Sequence, residues 1–327
     1  MEQISNELMV LPEITPYELP RSSGKAFIEA NTIECSLSEI QNDHIIPVFI
    51  KDNEPLISHS DFIECTMQIV EELYSGEMIL QPNIRVSHPI KGRVPDAKNK
   101  PANELLDGEK TLYYERMAFV IEIPSVFDDV DGNTLTLSIG GVKSFSLDNL
   151  YNKKGSDEHF KIFIGFKNTV CTNLCVWTDG FKSDAKISSI GELRAIIQYL
   201  IKQYNKEFHM KNLKGLLEHS LSEHQFALLI GKLRMYQHLP KNKQAEIPAL
   251  YLGDTQIGMV VKDYYKDNSF CRGDSGNINL WRLYNLLTGA NKSSYIESYL
   301  ERSVNAFHFT ERIKYALMNQ TNCWFLN

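Results

Sequence analysis

The sequence predicts an α+β protein: a central antiparallel β-sheet that includes a hairpin, followed by a mainly helical C-terminal half. Three observations carry this reading. Residues 111–178 hold runs of β-branched and aromatic residues around the hairpin signal Asp131-Gly132. From Ser189 onward, apolar residues recur at helical spacing behind two Ser-x-x-Glu/Gln capping signals. Strands first and helices after them is the order of an α+β chain.

The elements follow in order. Residues 1–25 read as an extended acidic arm, punctuated by Pro12, Pro16 and Pro20 and ending in the turn "RSSGK". Short strands are expected at 32–35 and 45–50. Ser60 is placed to cap a helix whose Phe62, Ile63, Ile69, Val70, Leu73 and Tyr74 form an apolar stripe. From Ile84, "IRVSHPIKGRVPDAKNKPANELLDGEK" carries three prolines and a run of bases without periodicity, which reads as a long ordered loop with a short helix near 102–106. The hairpin strands "TLYYERMAFVIEIPSV" and "NTLTLSIGGV" then flank "FDDVDG". After the loop "SLDNLYNKKGSDE", a long strand or strand pair covers 159–178. Leu193, Ile196, Ile197, Leu200, Ile201, Tyr204 and Phe208 then fall on one helical face behind the Ser189/Glu192 box. A second box, Ser222 with Gln225, precedes Phe226, Leu229, Ile230, Leu233 and Tyr236. Two more helices, 280–287 and 294–317, are separated by "TGANK". The expected organisation is an arm (1–25), a strand-rich part (26–190) with an acidic lead and a basic loop, and a helical part (191–327) that is separate from or continuous with it.

Composition limits the function classes. Hydrophobic residues make up 43% and charged residues 23%, near the soluble globular average, so a fibrous repeat or a disordered body is not indicated. No apolar run is long enough to span a bilayer, and the N-terminus is acidic and proline-punctuated, which leads us to expect a cytoplasmic protein without a signal peptide. The six cysteines are scattered, a pattern that suits reduced thiols. Charge is asymmetric: residues 1–80 carry 15 acids against 3 bases, a balance of −12, while the rest of the chain is at +5. An acidic lead of this kind solvates, binds a basic partner, or covers a basic surface of its own body.

Few motifs point to chemistry. In "IFIGFKNTVCTNLCVWTDG", Cys171 and Cys175 are four apart, roughly 13 Å along an extended strand, too far for one metal or a disulfide. Packing cysteines are the simpler reading. The Asp128-Asp129-Asp131 cluster fails as an EF-hand loop, because Phe127 and Ser138 would fall at ligand positions. His209, His219 and His224 lack zinc spacing. "GGV" and "LIGKLRM" lack the P-loop spacer, and the Gly-Asp-Ser-Gly string inside "CRGDSGN" sits in a polar loop without identifiable partners. No catalytic residue, metal ligand or cofactor is predicted.

What remains is a distribution of bases. Arg85, Lys91, Arg93, Lys98 and Lys100 crowd the long loop, and Lys153 and Lys154 sit in another. Between Arg194 and Lys243, nine bases face three acids, with Lys241 and Lys243 at the end of that stretch. Tyr113, Tyr114, Tyr236, Tyr264 and Tyr265 lie near basic stretches, and bases with aromatics suit a phosphate backbone with stacked bases. The competing reading makes these solvated helix faces and core tyrosines.

The segments "FIEANTIECSL", "IIPVFIKDNEPLISHSDFIE", "IRVSHPIKGRVPDAKNKPANELL", "FIGFKNTVCTNLCVWTDGFK", "SEHQFALLIGKLRMYQHLP" and "INLWRLYNLLTGANKSSYIESYLERSVNAF" closely resemble domain-of-unknown-function family 3871, over about residues 26–315. That family is similar in turn to a broader phage- and plasmid-associated family with a "VCxN" strand, here Val170 to Asn173, and an "LWxxYN" helix, here Leu280 to Asn285. The resemblance implies a mobile-element setting and supplies no catalytic residue. The order of hairpin, strand and long helix is also similar to that of phage-type single-strand annealing proteins, an analogy at the level of fold only.

The functional expectation is therefore a non-enzymatic binder of single- or double-stranded nucleic acid, using Arg85, Lys91, Arg93, Lys98, Lys100, Lys153, Lys154, Lys241 and Lys243. The alternative is a protein-binding factor that works through acidic residues 1–80, inhibiting a host defence system or docking on a replication enzyme.

Overall fold

The computed structural model describes residues 26–43, 57–148 and 157–327. The 1–25 arm, the 45–50 strand, and Lys153 and Lys154 lie outside the described residues. β1 (Thr32–Cys35) and α1 (Leu37–Asp43) lead into α2 (His59–Leu73). The cap of α2 is Ser58, not Ser60: the Ser58 hydroxyl accepts from Asp61 N at 3.0 Å, and the Asp61 carboxylate accepts from Ser58 N at 2.8 Å.

The basic loop is more structured than its sequence implies. β2 (Asn83–Ser87) is a sheet strand, with Ile84 and Val86 buried. β3 (Ile90–Arg93) pairs with β4 (Lys110–Tyr113), and three single 3-10 turns lie between them, so residues 90–113 form a small finger. The expected helix near 102–106 is one of these turns, Ala102–Glu104. Prolines 95 and 101 explain both the missing periodicity and the short turns, because each removes a backbone donor.

β5 (Arg116–Val130) and β6 (Asn133–Ser144) form the expected hairpin, with Asp131 at φ 55° and Gly132 at φ 73°, the two positive values that a type I′ turn demands. β5 bulges between Ile123 and Phe127. β7 (Glu158–Asn168) turns tightly into β8 (Leu174–Cys175), so the 159–178 segment is a strand pair. β9 (Phe181–Ile187) then returns along β7. The main sheet runs β1-β2-β5-β6-β7-β8, antiparallel throughout, with β9 also on β7.

The sheet is curled, with a half-barrel form. Its central strands are buried on both faces. Phe119, Ile121, Leu137, Ile139, Ile162 and Ile164 share a core with Phe62, Ile63 and Ile69 of α2. The other face is smaller and more polar, with Ala118, Val120, Val142 and Phe163 packed against Phe27, Ile28, Tyr299 and Leu300. On that face the Lys167 ammonium meets the Glu122 carboxylate at 2.5 Å, both side chains nearly fully buried.

Helices fill the remainder: α3 (Ile190–Gln203), α4 (Lys206–Lys214), α5 (Glu223–Tyr236), α6 (Lys241–Glu246), α7 (Asp254–Lys266), α8 (Leu280–Asn291) and α9 (Ile296–Asn319), with short β10 (Ser220–Leu221) paired to β11 (Ile278–Asn279). The single helix expected through Phe208 is two. α3 ends after Gln203, and Asn205 starts α4 by accepting from Phe208 N at 2.9 Å. α8 runs through "TGAN" to Asn291, which moves the α8–α9 turn to the residues after it.

Candidate nucleic-acid interface

Most of the bases singled out in the sequence are tied to their own chain. Arg85 lies opposite Glu34 on the β1–β2 pair and donates to the Thr32 carbonyl at 2.8 Å and to its hydroxyl. Partial burial lowers its pKa slightly from the arginine norm. In the finger, Arg93 donates to the Lys100 carbonyl, and Lys100 pairs with Glu109. Lys91 and Lys98 are exposed there. The finger also carries Asp96, Glu104, Asp107 and Glu109, so its field is nearly balanced. Lys241 and Lys243 stand on the exposed face of α6, near Gln244 and Glu246 respectively. The finger and α6 are separate elements.

Several acids of the lead segment are likewise used inside the fold. Glu39 accepts from Ser36 N at 2.7 Å, Asp61 caps α2, and Glu72 pairs with Arg194 of α3. In the Asp cluster, Asp128 pairs with Lys214 at 2.8 Å, and the Asp129 carboxylate accepts from Gly132 N at 2.8 Å, which closes the hairpin turn. Among the described residues no three His, Cys, Asp or Glu side chains converge as a metal ion would require.

The "VCxN" and "LWxxYN" segments meet. Thr172 takes φ 59° in the tight β7–β8 turn, and Asn173 Nδ2 donates to the Asn285 carbonyl at 2.9 Å. Lys292 donates to the Cys171 carbonyl and to the Thr172 hydroxyl. Burial pushes the Cys171 thiol up to about 11 and raises Cys175 further, so both are neutral thiols at physiological pH. Trp281 and Tyr284 of the second segment are fully buried. These two motifs join the sheet to α8, and their side chains pack the interior.

A more open arrangement lies beside them. Trp177 leaves β8, and Phe208 of α4 packs against it, the rings tilted by 35° with centroids 5.1 Å apart. Phe208 is 48% exposed. Behind the pair, Phe307 and the buried His209 support the indole at 5.9 and 5.8 Å. Lys211 follows Phe208 by three residues and so lies on the same helix face, while Lys202 and Lys206 flank the α3–α4 junction. All three lysines are exposed, and none makes an ion pair with a described acid. These lysines belong to the base-rich stretch visible in the sequence. The signal missed there is Asn205, a helix-starting residue that breaks the apolar periodicity and turns Phe208 outward.

The fold and this surface define an α+β protein with a curled antiparallel sheet, a helical C-terminal half, and an exposed phenylalanine, backed by a partly buried tryptophan, set among lysines. The chain belongs to the family described as "Domain of unknown function, B. Theta Gene description (DUF3871)", which matches residues 9–326. No curated protein and no solved structure matches it. Among the described residues no helix is long and apolar enough to cross a membrane.

Proposed function

We propose that the protein is a non-enzymatic nucleic-acid-binding protein that handles single strands in the cytoplasm, in the replication, transfer or recombination of a mobile element. One observation carries the reading: the half-exposed Phe208 ring, backed by Trp177 and one helical turn from Lys211, with Lys202 and Lys206 beside it. An exposed ring stacks bases of any identity, and lysines that pair with no described carboxylate are available to phosphates. Lys91 and Lys98 of the finger and Lys241 of α6 extend the contact along a longer strand. The resemblance of "VCxN" and "LWxxYN" to phage- and plasmid-associated proteins supports the setting.

The test is fluorescence anisotropy with a labelled single-stranded oligonucleotide. Phe208→Ala is expected to weaken binding by about 1–3 kcal/mol, the usual worth of one stacked base. Lys206→Ala with Lys211→Ala should weaken it further, and Lys91→Ala with Lys98→Ala should weaken binding to long strands more than to short ones. Unchanged affinity in the Phe208 and lysine variants would overturn the proposal.

A further inference from the structure

A groove of about 550 Å³ opens between α9 and the segment 247–251 that precedes α7, within the size range of small-ligand sites. Its wall is built rigidly. Asn305 of α9 clamps the segment from both sides, accepting from Tyr251 N at 2.7 Å and donating to the Ala249 carbonyl at 3.0 Å. This holds the Tyr251 ring at the groove's lip, 56% exposed. One turn further along α9, His308 and then Arg312 line the same groove. Arg312 is exposed and makes no ion pair with a described acid. Burial and then the Arg312 charge hold His308 below the usual histidine range, so it forms a neutral wall and leaves the cation to Arg312. Glu301, at the other end, spends one carboxylate oxygen on Lys161, while its Oε2 is buried without a hydrogen-bond partner.

Two of these groups are complementary to one ligand chemistry: an exposed ring for stacking and an arginine for an anion. We propose that the groove holds one nucleotide of a single strand, with the base on Tyr251 and the phosphate on Arg312. Every base has a face to stack, so this subsite discriminates little between them. It is continuous with the aromatic pair, because His308 Nε2 meets the Thr178 hydroxyl at 2.6 Å and Thr178 follows Trp177. The inference rests on the nucleic-acid reading and deepens it.

The experiment titrates the full chain with 5′-dTMP and, separately, with a labelled oligothymidylate, using wild type, Tyr251→Leu, Arg312→Gln and Phe208→Ala. All three positions are exposed, so the variants should fold; circular dichroism checks this. The expected result is weak dTMP binding that Tyr251→Leu and Arg312→Gln each reduce, with oligothymidylate affinity reduced about tenfold by each of the three variants. Loss of oligothymidylate binding in Phe208→Ala, but wild-type binding of both ligands in Arg312→Gln and Tyr251→Leu, overturns the groove assignment alone. Failure of the wild-type protein to bind any oligonucleotide overturns the nucleic-acid reading and the groove with it.

Discussion

The Tyr204 hydroxyl lies 2.6 Å from His209 Nδ1 inside a cage of Phe166, Trp177 and Phe307. Burial lowers the histidine pKa from 6.5 to about 3, so it is neutral in the folded protein. Above pH 6.5 both folded and unfolded chains hold it neutral; below that the unfolded chain takes up the proton first, and stability is lost as pH falls from 6.5 towards 3. At pH 5.5 this single group should cost about 1.4 kcal/mol, and His209→Gln should flatten the dependence, as read from urea midpoints at pH 7.5 and 5.5. A variant with an unchanged pH profile would show that His209 is not the group responsible. The Lys167–Glu122 pair gives a second residue-scale outcome. Lys167→Met strands a buried carboxylate and should cost about 3–5 kcal/mol, whereas adding Glu122→Leu should restore most of it. Neither feature is legible in sequence, because His209 is a lone histidine there and the two ion partners are 45 residues apart.

At the scale of elements, the Asp131-Gly132 turn and the Ser222 cap declare themselves because their chemistry is local. β2 and β3 do not, since prolines and bases mask short strands whose partners, β5 and β4, come later in the chain. β9, "FKSDAKI", escapes for another reason. It is a sheet edge with exposed Lys182, Asp184 and Lys186, and such charges protect an edge from further pairing. α7 starts on Gly253 instead of a hydroxyl or Asn/Asp residue, which weakens its signature. β5 and β6 approach closely at Gly140, where an added methyl would stand 2.0 Å from the Phe119 carbonyl oxygen. Gly140→Ala should therefore destabilise by about 3 kcal/mol or more, measured by chemical denaturation. Wild-type stability in that variant would contradict the β5–β6 packing.

For the whole molecule, one hydrophobic core runs from Cys35 to Phe325, and the N-terminal residues Phe27 and Ile28 close the opposite sheet face under α9. The α+β order was legible because periodicity changes from strand-like to helical near Ser189. The candidate interface was legible only as an excess of bases. Its geometry depends on Trp177, Phe208 and α9 being brought together, and sequence spacing does not encode that. In the proposed interface, phosphates meet cations that pair with no described carboxylate. The most direct measurement is the affinity for a single-stranded oligonucleotide from about 50 to 200 mM salt. If Lys202, Lys206, Lys211 and Arg312 each neutralise one phosphate, log K should fall against log salt with a slope of about −3, and the Lys206→Ala/Lys211→Ala variant should bring it to about −1.4. A flat salt response, or no binding at the lowest salt, would contradict the account.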